Sequence, residues 1–321
     1  MNTPQLNASA RIMYLEALKR GIECTTFDDK QTILMKKGSS TWYTRGSRTS
    51  TQSSVGVTIA DNKSLTKKIL NYFHLPTATA VEVGTIGDFG QVSQLTFPVV
   101  MKPLKGAHGK DVIVGIKDLI ESKRLVEKAE LPVLFEEKLE GIEYRVVCVD
   151  FKFVAAAFRK PAHIVGDGEH SIQELIDKKN QHPWRGEGHS NNLSLIRVDN
   201  LVLEYLKEQN VDLAYVPSHL TEVFLRKTAN LSSGGEAWDV SDEVCLENRK
   251  LFEKIATVCD LNTLGIDIMC QNLTTPIVSQ TQAGVIEING SPGLRMHHFP
   301  LQGKPQNIAG HILDMVEKTR K

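Results

Sequence analysis

A two-lobed α+β fold is what this sequence predicts, and three observations predict it. The chain has 321 residues, about twice a typical single domain, which makes two lobes or one elaborated domain the expectation. Segments with helical apolar spacing alternate with short period-two segments bounded by turn residues, a mixed helix-and-strand pattern. Apolar residues make up 41% and charged residues 24%, an ordinary globular balance that excludes disordered, collagenous and disulfide-framework classes.

The elements follow in order. Ile12, Met13, Leu15 and Leu18 recur at near-helical spacing and predict a helix over residues 9–20, stopped by Gly21. Residues 32–35 and 41–43 flank Lys37-Gly38-Ser39 as a β-hairpin, and the Ser/Thr/Arg-rich stretch 44–54 reads as a loop. A second helix spans 62–73. A strand over 97–102 leads through the glycine-containing loop 105–110 into a return strand over 112–116, then a helix over 118–129 and a strand over 132–135. Residues 144–149 and 152–158 predict a second hairpin, and Ser171 with Glu174 has the form of a capping box before a helix running to Lys179. The last third adds a strand over 223–225, a Gly/Ser loop over 231–235, a helix over 241–259, a β-hairpin and a C-terminal helix over 306–318.

Charge and cysteine usage narrow the function classes. Lys+Arg and Asp+Glu are equal at 38 each, so no basic field gathers nucleic acid or anionic membrane. The five cysteines form no CxxC pair and fit a reducing compartment. Met1-Asn2-Thr3-Pro4-Gln5 lacks a signal-peptide layout, and no apolar run reaches the roughly 18 residues of a membrane helix, so a cytoplasmic location is expected.

Three segments carry candidate chemistry. In Gly265-Ile266-Asp267-Ile268-Met269 and Val285-Ile286-Glu287-Ile288-Asn289 the strand period sets Asp267 opposite its apolar neighbours, and Glu287 and Asn289 opposite theirs. If the two strands pair, three hard oxygen donors converge, a set that suits Mg²⁺; a solvated polar sheet face is the alternative. In the segment 102–110, Gly106 and Gly109 allow backbone amides to turn toward an anion and Lys102 can place a charge on phosphate, although a plain hairpin turn has the same look. No GxxxxGK[ST] is present, which excludes a P-loop, and no GxGxxG opens a helix as a dinucleotide site requires. Third, the backbone of 135–145 could meet an adenine edge beside Leu139, with Glu143 accepting ribose hydroxyls, or it is a charged hinge without a ligand.

Together these segments resemble the ATP-grasp superfamily, from about Asp61 to the C-terminus. In detail they are most similar to the peptide-ligase branch that contains cyanophycin synthetase and the synthetase half of bifunctional glutathione enzymes. The resemblance is carried by Val100-Met101-Lys102-Pro103, Glu143-Tyr144-Arg145-Val146, Pro161-Ala162-His163-Ile164-Val165-Gly166-Asp167-Gly168, Arg185-Gly186-Glu187-Gly188-His189, Leu225-Arg226 with Thr228 to Gly235, and Ile286 to His297.

The resemblance implies an ATP-grasp fold with a short pre-grasp-like segment over 1–60, a small lobe over 61–135 and a large lobe over 136–321. It implies that Lys63 and Lys102 hold ATP phosphates under the loop of Gly106, His108 and Gly109. By the same carry-over, Glu136, Glu137 and Leu139 line the adenine pocket, Glu143 meets the ribose, and Asp267, Glu287 and Asn289 bind two Mg²⁺, with Mn²⁺ as a substitute. Arg226 and Arg295 are implied in catalysis with Lys102, and Arg145, Arg159, Asn230, Ser232 and Gly234 in substrate binding. Asp111 departs from the small residue common at that loop position.

The implied activity is a stand-alone ligase joining a small-molecule carboxylate to an amine. A carboxylate is a poor electrophile, so ATP first converts it to an acyl phosphate, with positioning and electrostatics supplying the catalysis. A non-catalytic ATP-binding regulatory subunit and a phosphotransferase acting on a non-carboxylate acceptor are the alternatives. A homo-oligomer is compatible with all three. Histidines and Trp184 read as surface or packing residues, and Cys148, Cys259 and Cys270 as core thiols.

Overall fold

The period-two and helical segments become strands and helices in the computed structural model, which describes residues 5–104, 111–187 and 191–319. The expected phosphate loop with Gly106, His108 and Gly109 lies outside the described residues. The chain forms two units. The first gathers Met1–Ser47, Ala157–Val240 and Gly293–Gly310, and the second Arg48–Ala156, Ser241–Pro292 and His311–Lys321.

In the first unit the helix Ala8–Lys19 starts at Asn7, whose side chain accepts from Ala10 N at 2.9 Å. Strands Glu23–Thr26, Thr32–Lys37 and Ser40–Arg45 pair antiparallel, and their alternation buries Ile33, Met35 and Trp42. Further along, the strands His163–Val165 and Glu222–Phe224 pair antiparallel. Helices Ile172–Asn180 and Asn200–Glu208 pack beside them on a core that includes Ile164, Ile176, Ile196 and Val202. The capping box at Ser171 and Glu174 forms as the spacing predicts. The helix Asn200–Glu208, capped by Asp199, has no counterpart among the predicted elements.

The second unit positions the candidate chemistry. A four-stranded antiparallel sheet runs in the order Ala80–Val83, Val133–Glu137, Val99–Pro103, Ile113–Ile116. Its apolar face packs with the helix Leu119–Val126 through Val83, Val99, Phe135 and Val126. Three long strands, Ile142–Val149, Thr263–Cys270 and Gly284–Asn289, lie side by side and antiparallel with Thr263–Cys270 central. The first of them turns at Asp150 and Phe151, both at positive φ (54° and 59°), into the strand Lys152–Lys160.

Two expectations need correction. The helix predicted over 241–259 begins at Leu246, after a single 3₁₀ turn at Ser241–Glu243. Ser241 Oγ accepts from Ala156 N at 2.9 Å, which ties this turn to the neighbouring strand and keeps it out of the helix. The stretch 44–54, expected to be a loop, contains the strand Arg48–Thr49 and the cap Ser53 of the helix Ser54–Asp61. That helix holds Gly56 and four β-branched residues, Val55, Val57, Thr58 and Ile59, weak helix formers that gave no local signal. Tertiary contact explains it: a Cβ built on Gly56 would stand 2.2 Å from Asp260 O. We expect Gly56→Ala to lower stability by about 1–3 kcal/mol through overpacking, read as a reduced urea midpoint at unchanged m-value.

Candidate functional site

The strand pair that carries the oxygen donors forms with Asp267 directly opposite Glu287 and Gly265 opposite Asn289. Residues opposite one another in a pair share a face, so the three donors converge as the period implies. A bulge between Asp267 and Ile268 leaves Ile286 as the extra residue of its strand. The connection between the strands is long, held by Gln280 to Gln271 and Asn272 and by the buried Asn248 to Leu273 and Thr275.

Arg145 lies on the third strand, opposite Asp267 on its other side. Its guanidinium grips the Asp267 carboxylate in a fork, Nε on Oδ1 and Nη2 on Oδ2 at 2.8 Å, and Asn289 Nδ2 donates to Oδ2 at 3.3 Å. Burial works against the charged guanidinium, yet the Asp267 carboxylate outweighs it and holds Arg145 above its usual value. Gly265 makes the approach feasible, because a Cβ there would come within 3.3 Å of Arg145 Cδ and 2.9 Å of Pro292 Cβ. Arg145, expected at the substrate, is thus a partner of Asp267. Glu287 pairs with Lys63 at 3.5 Å.

The donor set fits a hard divalent cation. Two carboxylates and one amide oxygen leave most of the shell to water and phosphate oxygens, as Mg²⁺ prefers. No group of three or more His, Cys, Asp or Glu among the described residues makes an alternative centre. The core thiols behave as expected: burial pushes Cys259 and Cys270 up to about 12, far from nucleophilic range.

Beside this hairpin sits a buried charge cluster. Lys102, on Val99–Pro103, places Nζ 2.6 Å from Glu136 Oε1; Lys67, on the helix Lys63–Tyr72, places Nζ 2.8 Å from Oε2. The two contacts are ion pairs to different oxygens of one carboxylate. All three residues are 4–6% exposed. Lys102 Nζ also reaches the carbonyl of the bulge residue Ile286 at 3.4 Å, and Lys67 Nζ bonds Thr77 Oγ1 at 3.0 Å and Val285 O at 3.5 Å. The cluster and the oxygen donors are therefore mechanically joined. Lys67 was not among the residues the sequence singled out; its position one turn after Lys63 on an amphipathic helix was the available signal.

Burial would raise the Glu136 carboxyl, but Lys67 and Lys102 outweigh it and hold it below the carboxylate range. Burial, relieved by Glu136 and reinforced by Lys102, brings Lys67 down to about 8. Glu136, expected to line an adenine pocket, is occupied by the two lysines. Glu137 Oε1 accepts from Thr96 N at 2.9 Å, and the backbone N–H groups of Glu137, Lys138 and Glu140 bond Thr79, Pro98 and Gln282. Leu139 is half-buried on this tethered segment, and Glu143 is half-buried opposite Met269.

The other predicted residues fall in the first unit. Arg159 Nε donates to Ala229 O and Nη2 to Asn230 Oδ1, both at 3.1 Å. Arg226 pairs with Asp199 at 2.6 Å. Arg295 donates to Asn191 O at 2.9 Å and reaches Ser194 Oγ at 3.4 Å. Gly234 has φ +94°, and a Cβ there would meet Ile196 Cγ1 at 2.6 Å, while Ser232 is exposed on the same turn. Arg185, which the sequence did not single out for a role, bonds Ser194 O, Gly234 O and Glu236 at 2.7, 3.1 and 2.8 Å.

Because Glu136 is depressed in the folded chain, its stabilisation is complete above the ordinary carboxylate range and disappears as pH falls through the depressed value. Glu136→Gln, which leaves two buried lysines without a counter-ion, is expected to cost about 3–5 kcal/mol at neutral pH and to flatten the acid limb of stability. Urea titrations of both proteins between about pH 3 and 7 check this; parallel acid limbs would contradict it.

No family model matches the chain. The cyanophycin synthetase of Trichormus variabilis is 33% identical over 316 residues, 97% of this chain and 35% of that protein. The cyanophycin synthetase of Synechocystis is 37% identical over 269 residues, covering 82% and 31%. The bifunctional glutathione biosynthesis protein of Enterococcus faecalis is 28% identical over 322 residues, covering 97% and 43%. The crystal structure of a bifunctional glutathione synthetase from Pasteurella multocida superposes with a TM-score of 0.78 at 27% identity, over 98% of this chain and 44% of that one. The chain thus spans 35% of the first of these relatives and 43% of the Enterococcus protein. Sequence likeness along nearly its whole length and the shared architecture place the chain in the ATP-grasp superfamily, as a homologue of cyanophycin synthetase and of the bifunctional glutathione synthetases.

Proposed function

We propose that this chain is an ATP-dependent ligase that joins a small-molecule carboxylate to an amino acid or amine through an acyl phosphate, releasing ADP and phosphate. One observation carries the reading: two buried lysines share a single carboxylate, a net positive charge waiting for an anion, and they are bonded to the strand of Glu287 and Asn289. The relatives support it, since those named above are synthetases or serve glutathione biosynthesis. The five free cysteines support a cytoplasmic setting, and no helix among the described residues is long and apolar enough to cross a membrane.

In this reading the sheet of residues 61–135 and the long strands of the large lobe grip the nucleotide. Lys102 and Lys63 hold phosphate oxygens, the backbone beside Leu139 meets adenine, and Glu143 accepts a ribose hydroxyl. Divalent cations bound by Asp267, Glu287 and Asn289 would offset the charge of the phosphoryl group in transfer. Arg145 fixes the orientation of the Asp267 carboxylate for that role. On the acceptor side, Arg159 fixes Asn230, Arg185 fixes the carbonyl of Gly234, and Arg226 and Arg295 provide guanidinium donors for the acid and for the oxyanion that forms when the amine attacks.

The test is ATP turnover over a panel of amino acids and dipeptides, read both as ADP release and as product mass. We expect amine-dependent ADP and a product equal to the two substrates less one water. ADP with no amide would mark a phosphotransferase, and ATP binding without turnover under any acceptor would mark a regulatory subunit. Arg226→Gln is expected to lower kcat by about 100-fold with an unchanged circular dichroism spectrum.

A further inference from the structure

We propose that Lys67 is a positioning residue: through Glu136 it sets the position and the net charge of Lys102. The inference rests on the reading that Lys102 meets the nucleotide phosphates. Lys67 and Lys102 come from different elements, the helix Lys63–Tyr72 and the strand Val99–Pro103, and each takes a different oxygen of Glu136. A Lys102–Glu136 pair alone would be neutral, and the carboxylate would repel any phosphate that Lys102 drew in. The second ammonium changes the sign of the cluster. It consumes the far oxygen of Glu136, leaving Lys102 held in place yet with its charge uncancelled.

Lys67 is itself fixed so that it cannot leave. Thr77 Oγ1 accepts from its Nζ at 3.0 Å, and Thr77 Oγ1 donates to Val285 O at 3.0 Å, on the strand of Glu287 and Asn289. Lys67 is 4% exposed, so water supplies little of its solvation. Burial first, and Lys102 after it, bring Lys67 down to about 8 against the pull of Glu136, and an anion brought beside the cluster would favour the charged form. Each lysine meets a separate oxygen of Glu136, so Lys67 acts on Lys102 through the carboxylate.

Calorimetric titration with Mg²⁺-ATP and with adenosine tests this on the full chain and on Lys67→Gln, Lys102→Gln and the double variant. We expect Lys67→Gln to weaken ATP about tenfold and adenosine by less than about twofold, and the double variant to bind ATP no more weakly than Lys102→Gln alone. Lys67→Arg, which keeps the charge, should restore ATP affinity to within about threefold. The proposal is overturned if the two losses multiply, if adenosine falls as much as ATP, or if Lys67→Gln leaves ATP affinity unchanged while Lys102→Gln lowers it. If the unaltered chain binds no ATP, or Lys102→Gln costs nothing, the nucleotide reading falls and this proposal with it. Should Lys67→Gln not fold, Lys67→Met is measured in the same way. Collapse of both would show that the lysine serves the core, which also overturns the proposal.

Discussion

Everything in the second unit depends on how one carboxylate is shared by two ammonium groups. Removing three charges from water costs several kcal/mol per ion, and an isolated pair seldom recovers it. A trio with one negative and two positive members recovers still less by itself, so the arrangement makes sense only if something else completes it. Its surroundings indicate what. Lys102 touches the carbonyl of a bulged residue, Lys67 touches the next carbonyl back, and one residue further along the same strand is Glu287. On the proposed function, a triphosphate with its metal would bring negative charge to the lysines and positive charge to the carboxylates in one event.

The oxygen donors face the mirror-image difficulty. Asp267 and Glu287 stand directly opposite, a like-charge pair that destabilises a sheet when left bare. Each has been given a cation: Arg145 for Asp267, from the adjoining strand, and Lys63 for Glu287, from the helix behind. Gly265 leaves room for this, since a Cβ at that position would crowd Arg145 Cδ at 3.3 Å and Pro292 Cβ at 2.9 Å. A glycine two residues before the aspartate is therefore a statement about the arginine on the neighbouring strand, a relation that only pairing reveals.

That distinction explains what was legible in the sequence. Period-two spacing placed Asp267, Glu287 and Asn289 on one face, and pairing then brought them together as spacing implies, because strand geometry is local. The helices at residues 9–20 and 62–73 and the capping box at Ser171 were legible for the same reason. The helix Ser54–Asp61 was not, since its stability comes from seating Gly56 on the Asp260 carbonyl, more than 200 positions away. Nor was the partner of Glu136. Beside Leu139 it looked like part of a hinge, and only the packing of a helix against a sheet shows that its oxygens belong to lysines.

The first unit repeats the logic with different residues. Glu236 is 2% exposed and meets Arg185 at 2.8 Å, Lys179 at 2.7 Å and His163 at 3.8 Å. His163 is pushed down by burial and by Lys179, so it is neutral there and the surplus rests on Arg185 and Lys179. Arg185 spends its remaining donors on the carbonyls of Ser194 and Gly234, and the turn that holds Gly234 at positive φ is thereby tied to a buried carboxylate. A carboxylate with more cations than it can neutralise gives a protein two things at once: rigid placement of the cationic heads, and a residual field directed at anions. Ordinary core packing supplies the first without the second. Both units retain the surplus in a chain with equal numbers of acidic and basic side chains, so on the proposed function the positive charge is concentrated at the residues assigned to anionic groups.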